Sequence, residues 1–346
     1  MTSLFGVFII AIGSACAASF YVPIKRVKSW SWETYWIVQG AASWILAPWV
    51  FALFTVPSLG SVLSRAPINA MLNTIFFGAL WGVGGLTFGL SMRFLGIAMG
   101  QSVALGFCAV VGTLGAPLLA GSNLFASHEG IMTLIGVSAC IVGIAIVGYA
   151  GALRSKNMPE EERRKAIAEF ALKKGILIAV LAGVMSGCFS LGLTGIAGVI
   201  DAGNSIREAA RAAGTDPLFA SNPVYIFVMF GGFLTNFAYC MYLNAHNRTF
   251  GDYTAIPFSI LRWNLLFCLV GGTLWYLQFF FFGMGQSKLP PAMLAFGWSI
   301  LMALNILFSN LWGIMLKECK DVGSKTLTVL TIGLIVLILS TFVIKL

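Results

Sequence analysis

Charge is scarce in this chain. Of its 346 residues only 10% are Asp, Glu, Lys or Arg, and there are two histidines. His128 and His246 both fall in or near expected loops. No HExxH, GxSxG or phosphate-loop pattern occurs, which removes the common zinc protease, serine hydrolase and nucleotide-binding chemistries. No cluster of carboxylates lies inside an apolar run, so a metal-dependent membrane hydrolase has nothing to work with. No enzyme activity, cofactor or metal is expected. Cysteine is present but unpatterned. Cys16, Cys108, Cys140, Cys188, Cys240 and Cys268 lie in apolar runs, without CxxC spacing or histidine companions. They read as small packing residues rather than disulfides or ligands.

Apolar residues are abundant. They form 59% of the chain, and the mean hydropathy is +0.92. A soluble domain cannot hide that much apolar surface, so the lipid bilayer is the expected solvent. The runs are too many and too long for a signal peptide followed by a soluble domain. The net charge of +9 would suggest nucleic acid in a soluble protein. Here it reflects basic residues held in cytoplasmic loops, and no nucleic-acid partner is expected.

The fold class expected is an all-α polytopic membrane protein with ten transmembrane helices. The spans lie near 3–22, 34–55, 69–92, 95–120, 130–152, 175–199, 222–243, 261–285, 291–316 and 323–344. Each has the roughly 20 apolar residues needed to cross. Most lysines and arginines fall in the loops after helices one, three, five, seven and nine, which places both termini outside the cytoplasm. One long charged linker, 153–174, divides the chain into residues 1–152 and 175–346, with five helices in each. An odd number of helices per half makes the two halves an inverted repeat, an architecture that holds substrate at the repeat interface. An internal echo agrees: Leu80, Trp81, Phe88, Gly89, Leu95, Ala98 and Met99 recur at a constant offset as Leu274, Trp275, Phe282, Gly283, Leu289, Ala292 and Met293. Small residues spaced by four, Gly96, Gly100, Ala104, Gly112, Ala116 and Ala120, suit close helix packing. The segment 201–221 reads as a short half-apolar helix, either a lid or a helix resting on the bilayer.

The stretch Gly271–Pro291 organises the functional reading. Gln278 is an amide in mid-span, and Trp275 precedes it by one turn. Amides and hydroxyls beside aromatic plates suit a hydroxyl-rich ring, so the candidate substrate contacts are Trp81, Trp275, Gln278, Trp298 and Asn305, with Gln39 and Gln101 weaker. Interhelical hydrogen bonding is the plainer explanation for the serines and threonines. Glu33 opens helix two. It reads either as a proton-coupling acid or as a first-turn acid that complements the helix dipole, with Ser31 as cap. Arg93 and Lys25 are either a cytoplasmic gate pair for it or markers of orientation.

Several motifs resemble the L-rhamnose–proton symporter family of the drug/metabolite transporter superfamily. They are Tyr21-Val-Pro-Ile-Lys25-Arg-Val-Lys28-Ser-Trp30-Ser-Trp-Glu33-Thr, Gly89-Leu-Ser-Met-Arg93-Phe-Leu-Gly96-Ile-Ala-Met-Gly100, Gly214-Thr-Asp-Pro217-Leu, Trp275-Tyr-Leu-Gln278-Phe-Phe-Phe and Leu316-Lys-Glu318. They run from helix one to helix nine. The resemblance implies a ten-helix inverted-repeat fold and a bacterial inner-membrane importer with a deoxy sugar and a proton as its partners. The chain departs from the family pattern where Gly85 and Thr87 replace asparagines, where Leu294 and Leu301 replace an aspartate and a histidine, and where Gln286-Ser-Lys288 replaces a basic loop. The alternatives are an uncoupled exporter or facilitator of another small metabolite and, from a different class, a non-transporting membrane sensor or assembly component. Oligomeric state is not legible.

Overall fold

The computed structural model describes residues 2–95, 97–157, 172–294, 296–315 and 323–340. Among them every regular element is helical. In chain order these are α1 (Thr2–Ser19, continued by a short turn Tyr21–Ile24), α2 (Trp32–Thr55), α3 (Leu59–Arg65), α4 (Ile68–Leu95), α5 (Ile97–Leu119), α6 (His128–Asn157), α7 (Leu172–Thr194), α8 (Gly203–Ala212), α9 (Asn222–Asn247), α10 (Phe258–Gln286), α11 (Gly297–Met315) and α12 (Ser324–Ser340). Among the described residues, eight helices are long and apolar enough to cross a membrane, from α1, α2, α4, α5, α6, α7, α9 and α10. α11 and α12 are apolar but shorter. The chain is thus a multi-pass membrane protein. The span expected over 291–316 is interrupted, since Pro291–Leu294 forms its own short helix before α11 begins. Most of the linker 153–174 lies outside the described residues, as does the Leu316-Lys-Glu318 motif.

The chain divides into two compact units, and each draws helices from both sides of the charged linker. The first is Met1–Gly82, Gly192–Gly195 and Ile200–Lys288. The second is Val83–Leu191, Ile196–Val199 and Leu289–Leu346.

In the first unit α1 runs along α10 on a seam of small residues. A side chain at Gly13 would press on the Gln278 backbone, and one at Gly285 on Gly6 and Ile10. Lipid is as apolar as leucine, so such helices associate through close backbone packing rather than through exclusion of water. α8 buries Ile206 and Ala210. Ala210 joins a core with Ala52 and Val56 of α2, Leu59 and Val62 of α3 and Ile226 of α9. The half-apolar face of segment 201–221 therefore rests on protein, not on the bilayer.

In the second unit α12 lies along α6. Leu337 fills the space above Gly143, and Leu330, Leu334 and Leu337 share a core with Cys140 and Ile144. The six cysteines among the described residues are free thiols, and all but Cys16 are buried.

The seam sets the first expectation. Gly13→Leu overpacks the α1–α10 contact and is expected to cost about 1–3 kcal/mol. Gly60→Leu, where a Cβ meets nothing within 4 Å, is expected to leave stability unchanged. Thermal unfolding of both variants in detergent checks this.

Candidate functional site: a tryptophan cluster and a carboxylate mouth

α2 is not a uniform helix. Residues Ala41–Leu46 form a π-helical turn between α-helical segments Trp32–Gly40 and Ala47–Thr55. Pro48 accounts for it. Proline has no N–H, and its ring crowds the carbonyl four residues earlier, here that of Trp44. The helix answers by widening, and the Ala47 N–H donates five residues back to Ala42 O. A wider turn rotates less per residue. It therefore holds Trp44 close to the side of α2 that carries Trp36, and the two rings meet edge to face at 5.9 Å.

Trp44 is the hub of an aromatic cluster inside the first unit. Its ring meets Trp81 of α4 at 6.1 Å and Trp275 of α10 at 5.9 Å, both edge to face. Trp81 and Trp275 stack on each other at 5.6 Å and 28°. Phe279, one turn beyond Trp275, closes the group at 5.1 Å. Two glycines make the room. A Cβ on Gly40 would strike the Trp44 ring, and a Cβ on Gly232 of α9 would strike the Trp81 ring. Trp36 Nε1 donates to Asn236 Oδ1 at 3.0 Å. Trp44 is 3% exposed, and its indole N–H has no acceptor among the described residues. A buried donor of this kind carries an unmet cost of about 1–3 kcal/mol.

The structure gathers part of the residue set expected from sequence. Trp81 and Trp275 are in the cluster. Gln278 is buried next to it, and its Nε2 donates to Trp275 O at 3.0 Å. Gln39 is buried on α2, 3.4 Å from Ser43 Oγ. Its backbone lies against Gly272 of α10. Trp298 and Asn305 belong to α11 in the second unit. Trp298 sits over Gly112 of α5 and stacks on Phe189 at 5.5 Å, so the small-residue seam of α5 serves as the seat of a large ring. Asn305 is half-buried. The side chains of Gln101 and Arg93 lie outside the described residues. Trp36, Trp44 and Asn236 escaped the sequence reading. The available signal was an amide inside an apolar span, Asn236, which is a functional suspect in a membrane.

Glu33 is 4% exposed. Its Oε1 accepts from Asn247 Nδ2 at 2.9 Å and from Thr249 Oγ1 at 2.8 Å, both at the end of α9. A second carboxylate stands in the turn that follows. Asp252 Oδ2 accepts from the Ser31 N–H at 2.7 Å, from Ser31 Oγ at 2.7 Å and from Thr34 Oγ1 at 3.0 Å. Trp30 Nε1 donates to the Asp252 carbonyl at 2.7 Å. The α1–α2 loop is therefore clasped to the α9–α10 loop, and Asn264 adds two bonds to the Lys28 backbone. Ser31 has the backbone of an N-cap but makes no side-chain cap bond. Its hydroxyl turns to Asp252 instead, because a carboxylate is the stronger acceptor. Lys25 is exposed at the end of the preceding turn.

Burial pushes the Asp252 carboxyl up, but the bonds from Ser31 and Thr34 outweigh it and hold the group below its ordinary value. A depressed carboxylate stabilises the fold above its unfolded pKa, and that contribution is lost as pH falls through the folded value. The clasp is thus expected to be intact at neutral pH and to weaken below about pH 4. Asp252→Asn is expected to lower the melting temperature at neutral pH and to flatten the acid side of its pH profile. A melting series in detergent from acid to neutral pH measures both effects.

Comparison with known proteins places this arrangement. The family model described as L-rhamnose-proton symport protein (RhaT) matches residues 2–346. A protein of Mannheimia succiniciproducens named L-rhamnose-proton symporter is 37% identical over 341 residues, covering 97% of this chain and 96% of the relative. Proteins of the same name from Citrobacter koseri and Escherichia coli are each 36% identical, covering 97% of this chain and 95% of the relative. The match leaves almost none of the chain aside, takes in both the tryptophan cluster and the carboxylate mouth, and concerns transporters rather than enzymes. The chain belongs to the L-rhamnose-proton symport protein (RhaT) family.

Proposed function

We propose that this protein imports L-rhamnose or a closely related sugar together with a proton, by alternating access across the bacterial inner membrane. One observation carries the sugar reading: the buried Trp44 indole N–H that finds no acceptor among the described residues, set among the rings of Trp36, Trp81 and Trp275. A sugar offers hydroxyl oxygens to such a donor and C–H faces to the rings. Gln278 borders the same cluster, and Gln39 backs it. The roles of Trp298, Asn305 and Gln101 as sugar contacts rest on their sequence positions.

The reading takes the ten helices as two inverted five-helix repeats, residues 1–152 and 175–346, with both termini outside the cytoplasm. Support comes from the bias of lysine and arginine between alternate loops and from the odd number of helices on each side of the linker. On that topology the mouth that holds Glu33 faces the cytoplasm. Glu33 is the coupling acid, because it is the one carboxylate buried among the described residues. Lys25 and Arg93 are the cations assigned to that mouth.

The scarcity of buried acids also favours a second reading, an uncoupled exporter or facilitator of another metabolite. The two separate in one assay. In vesicles, proton-driven uptake of rhamnose is expected to collapse when the proton gradient is dissipated. Glu33→Gln is expected to abolish accumulation while sparing exchange of the sugar down its gradient. Normal accumulation by this variant would remove Glu33 from coupling.

Trp44→Phe keeps a ring in place and removes the N–H. It is expected to weaken apparent sugar affinity about tenfold, the size of one lost buried hydrogen bond. An unchanged affinity would detach the donor from the substrate.

A further inference from the structure

The hydroxyls between Glu33 and Asp252 touch more acceptors than they have hydrogens. Thr249 Oγ1 lies 2.8 Å from Glu33 Oε1 and 3.0 Å from Asn244 Oδ1. Thr34 Oγ1 lies 3.0 Å from Asp252 Oδ2, 3.3 Å from the same Asn244 Oδ1 and 2.8 Å from Ser31 Oγ, whose own hydrogen goes to Asp252. Each threonine has one hydrogen to give. The orientation of Asn244 is fixed from its other end, where Nδ2 donates to Cys240 O at 2.9 Å and to Tyr253 Oη at 3.3 Å. Its Oδ1 is thus an acceptor for which two hydroxyls compete. Asn244 and Thr34 are both fully buried, so no bulk water relieves the competition.

We infer that Asn244 is a positioning residue that links the protonation of Glu33 to the clasp between the α1–α2 and α9–α10 loops. The inference rests on Glu33 being the coupling acid.

Counting hydrogens gives the direction. With Glu33 ionised, Thr249 donates to the carboxylate, the stronger acceptor. Asn244 Oδ1 then draws on the Thr34 hydrogen, which is shared away from Asp252. When Glu33 takes a proton, the new O–H donates to Thr249 Oγ1. The Thr249 hydrogen turns to Asn244 Oδ1. Thr34 is released to donate fully to Asp252. One O–H bond forms, on Glu33, and every other change is a rotation of a hydroxyl. Loss of the proton reverses the sequence. A protonated Glu33 tightens the clasp, and an ionised Glu33 loosens it.

Other groups on the packed elements define what the test must control. Tyr253 accepts from Asn244, and Cys240 lies near Glu33 on α9. The charged or titratable side chains nearby in sequence are Lys25, Arg26 and Lys28 before α2, His246 and Arg248 at the end of α9, and Arg262 on α10.

The experiment is hydrogen exchange of the full chain in detergent, read over residues 28–35 as a function of pH and corrected for the intrinsic exchange rate. The Ser31 amide that bonds Asp252 reports the clasp. Wild type is expected to show a single-proton transition, with protection about three- to tenfold higher on the acid side, the range of one hydrogen bond. Glu33→Gln is expected to hold the high-protection level throughout the range in which Asp252 stays ionised. Thr249→Val removes the shared hydroxyl yet leaves Glu33 its bond from Asn247, and is expected to lose the pH dependence. A full wild-type transition in Thr249→Val, or in Glu33→Gln, would overturn the link through Asn244. Proton-driven uptake by Glu33→Gln separates the two levels. Loss of accumulation with an unaltered Thr249→Val transition removes the Asn244 link alone. Normal accumulation removes the coupling acid and the link with it.

Discussion

Lipid offers no hydrogen bonds, so each polar group placed in this protein's spans must find its partner within the protein or stay unmet. That constraint explains the shape of α2. Pro48 takes one N–H out of the ladder, and no water is at hand to replace it. The backbone re-satisfies itself through the Ala47-to-Ala42 bond of a π-helical turn. The position of Trp44, and with it the aromatic cluster, follows from that local repair. A proline that would break a soluble helix here sets the register of the aromatic cluster.

The same constraint sorts the polar side chains into two kinds. Most are answered locally. Gln278 Nε2 returns to a carbonyl of its own helix, and so do Asn310 Nδ2 and many hydroxyls. These bonds keep polar atoms quiet inside an apolar bundle and contribute little to specificity. A smaller group is answered across helices, as Asn236 is by Trp36, and several of those contacts collect around Glu33 and Asp252. There the chain joins loops more than two hundred residues apart through side-chain oxygens and amides. Such a polar assembly contributes little net energy, because each bond replaces one that the unfolded chain makes with water. It is suited to being remade during a transport cycle, as a buried apolar seam such as α1 on α10 is not.

Much of the fold was legible in the sequence because long apolar runs leave little choice in a bilayer. The spans through α10 fall within a few residues of where hydropathy put them, and the short helix over 201–221 appears as α8. The break before α11 was not legible, since residues 291–316 read as one apolar run. The face on which α8 rests was hidden as well, because an apolar stripe does not say whether lipid or protein covers it. At the candidate site, Trp81, Trp275 and Gln278 stand out in the sequence as rare groups within spans. Trp44 was missed because its position depends on a π-helical turn, and an ordinary α-helical wheel places it elsewhere. Asp252 was missed because a loop carboxylate carries no signal until the loop it clasps is known. Asn244 was missed for a related reason. Its role comes from the two hydroxyls that share its oxygen, and they arrive from distant parts of the chain.

The aromatic cluster also has an optical consequence. Trp36, Trp44, Trp81 and Trp275 place their rings at 5.6–6.1 Å along a connected path. At such separations indole transition dipoles couple, and an excited state spreads over several rings instead of staying on one. The far-ultraviolet circular dichroism of the protein, where the indole transition is strong, is therefore expected to carry an exciton couplet whose sign and amplitude encode the mutual angles of these rings. Any solute that slips between them alters that couplet without a label, so the native chain holds its own reporter of occupancy.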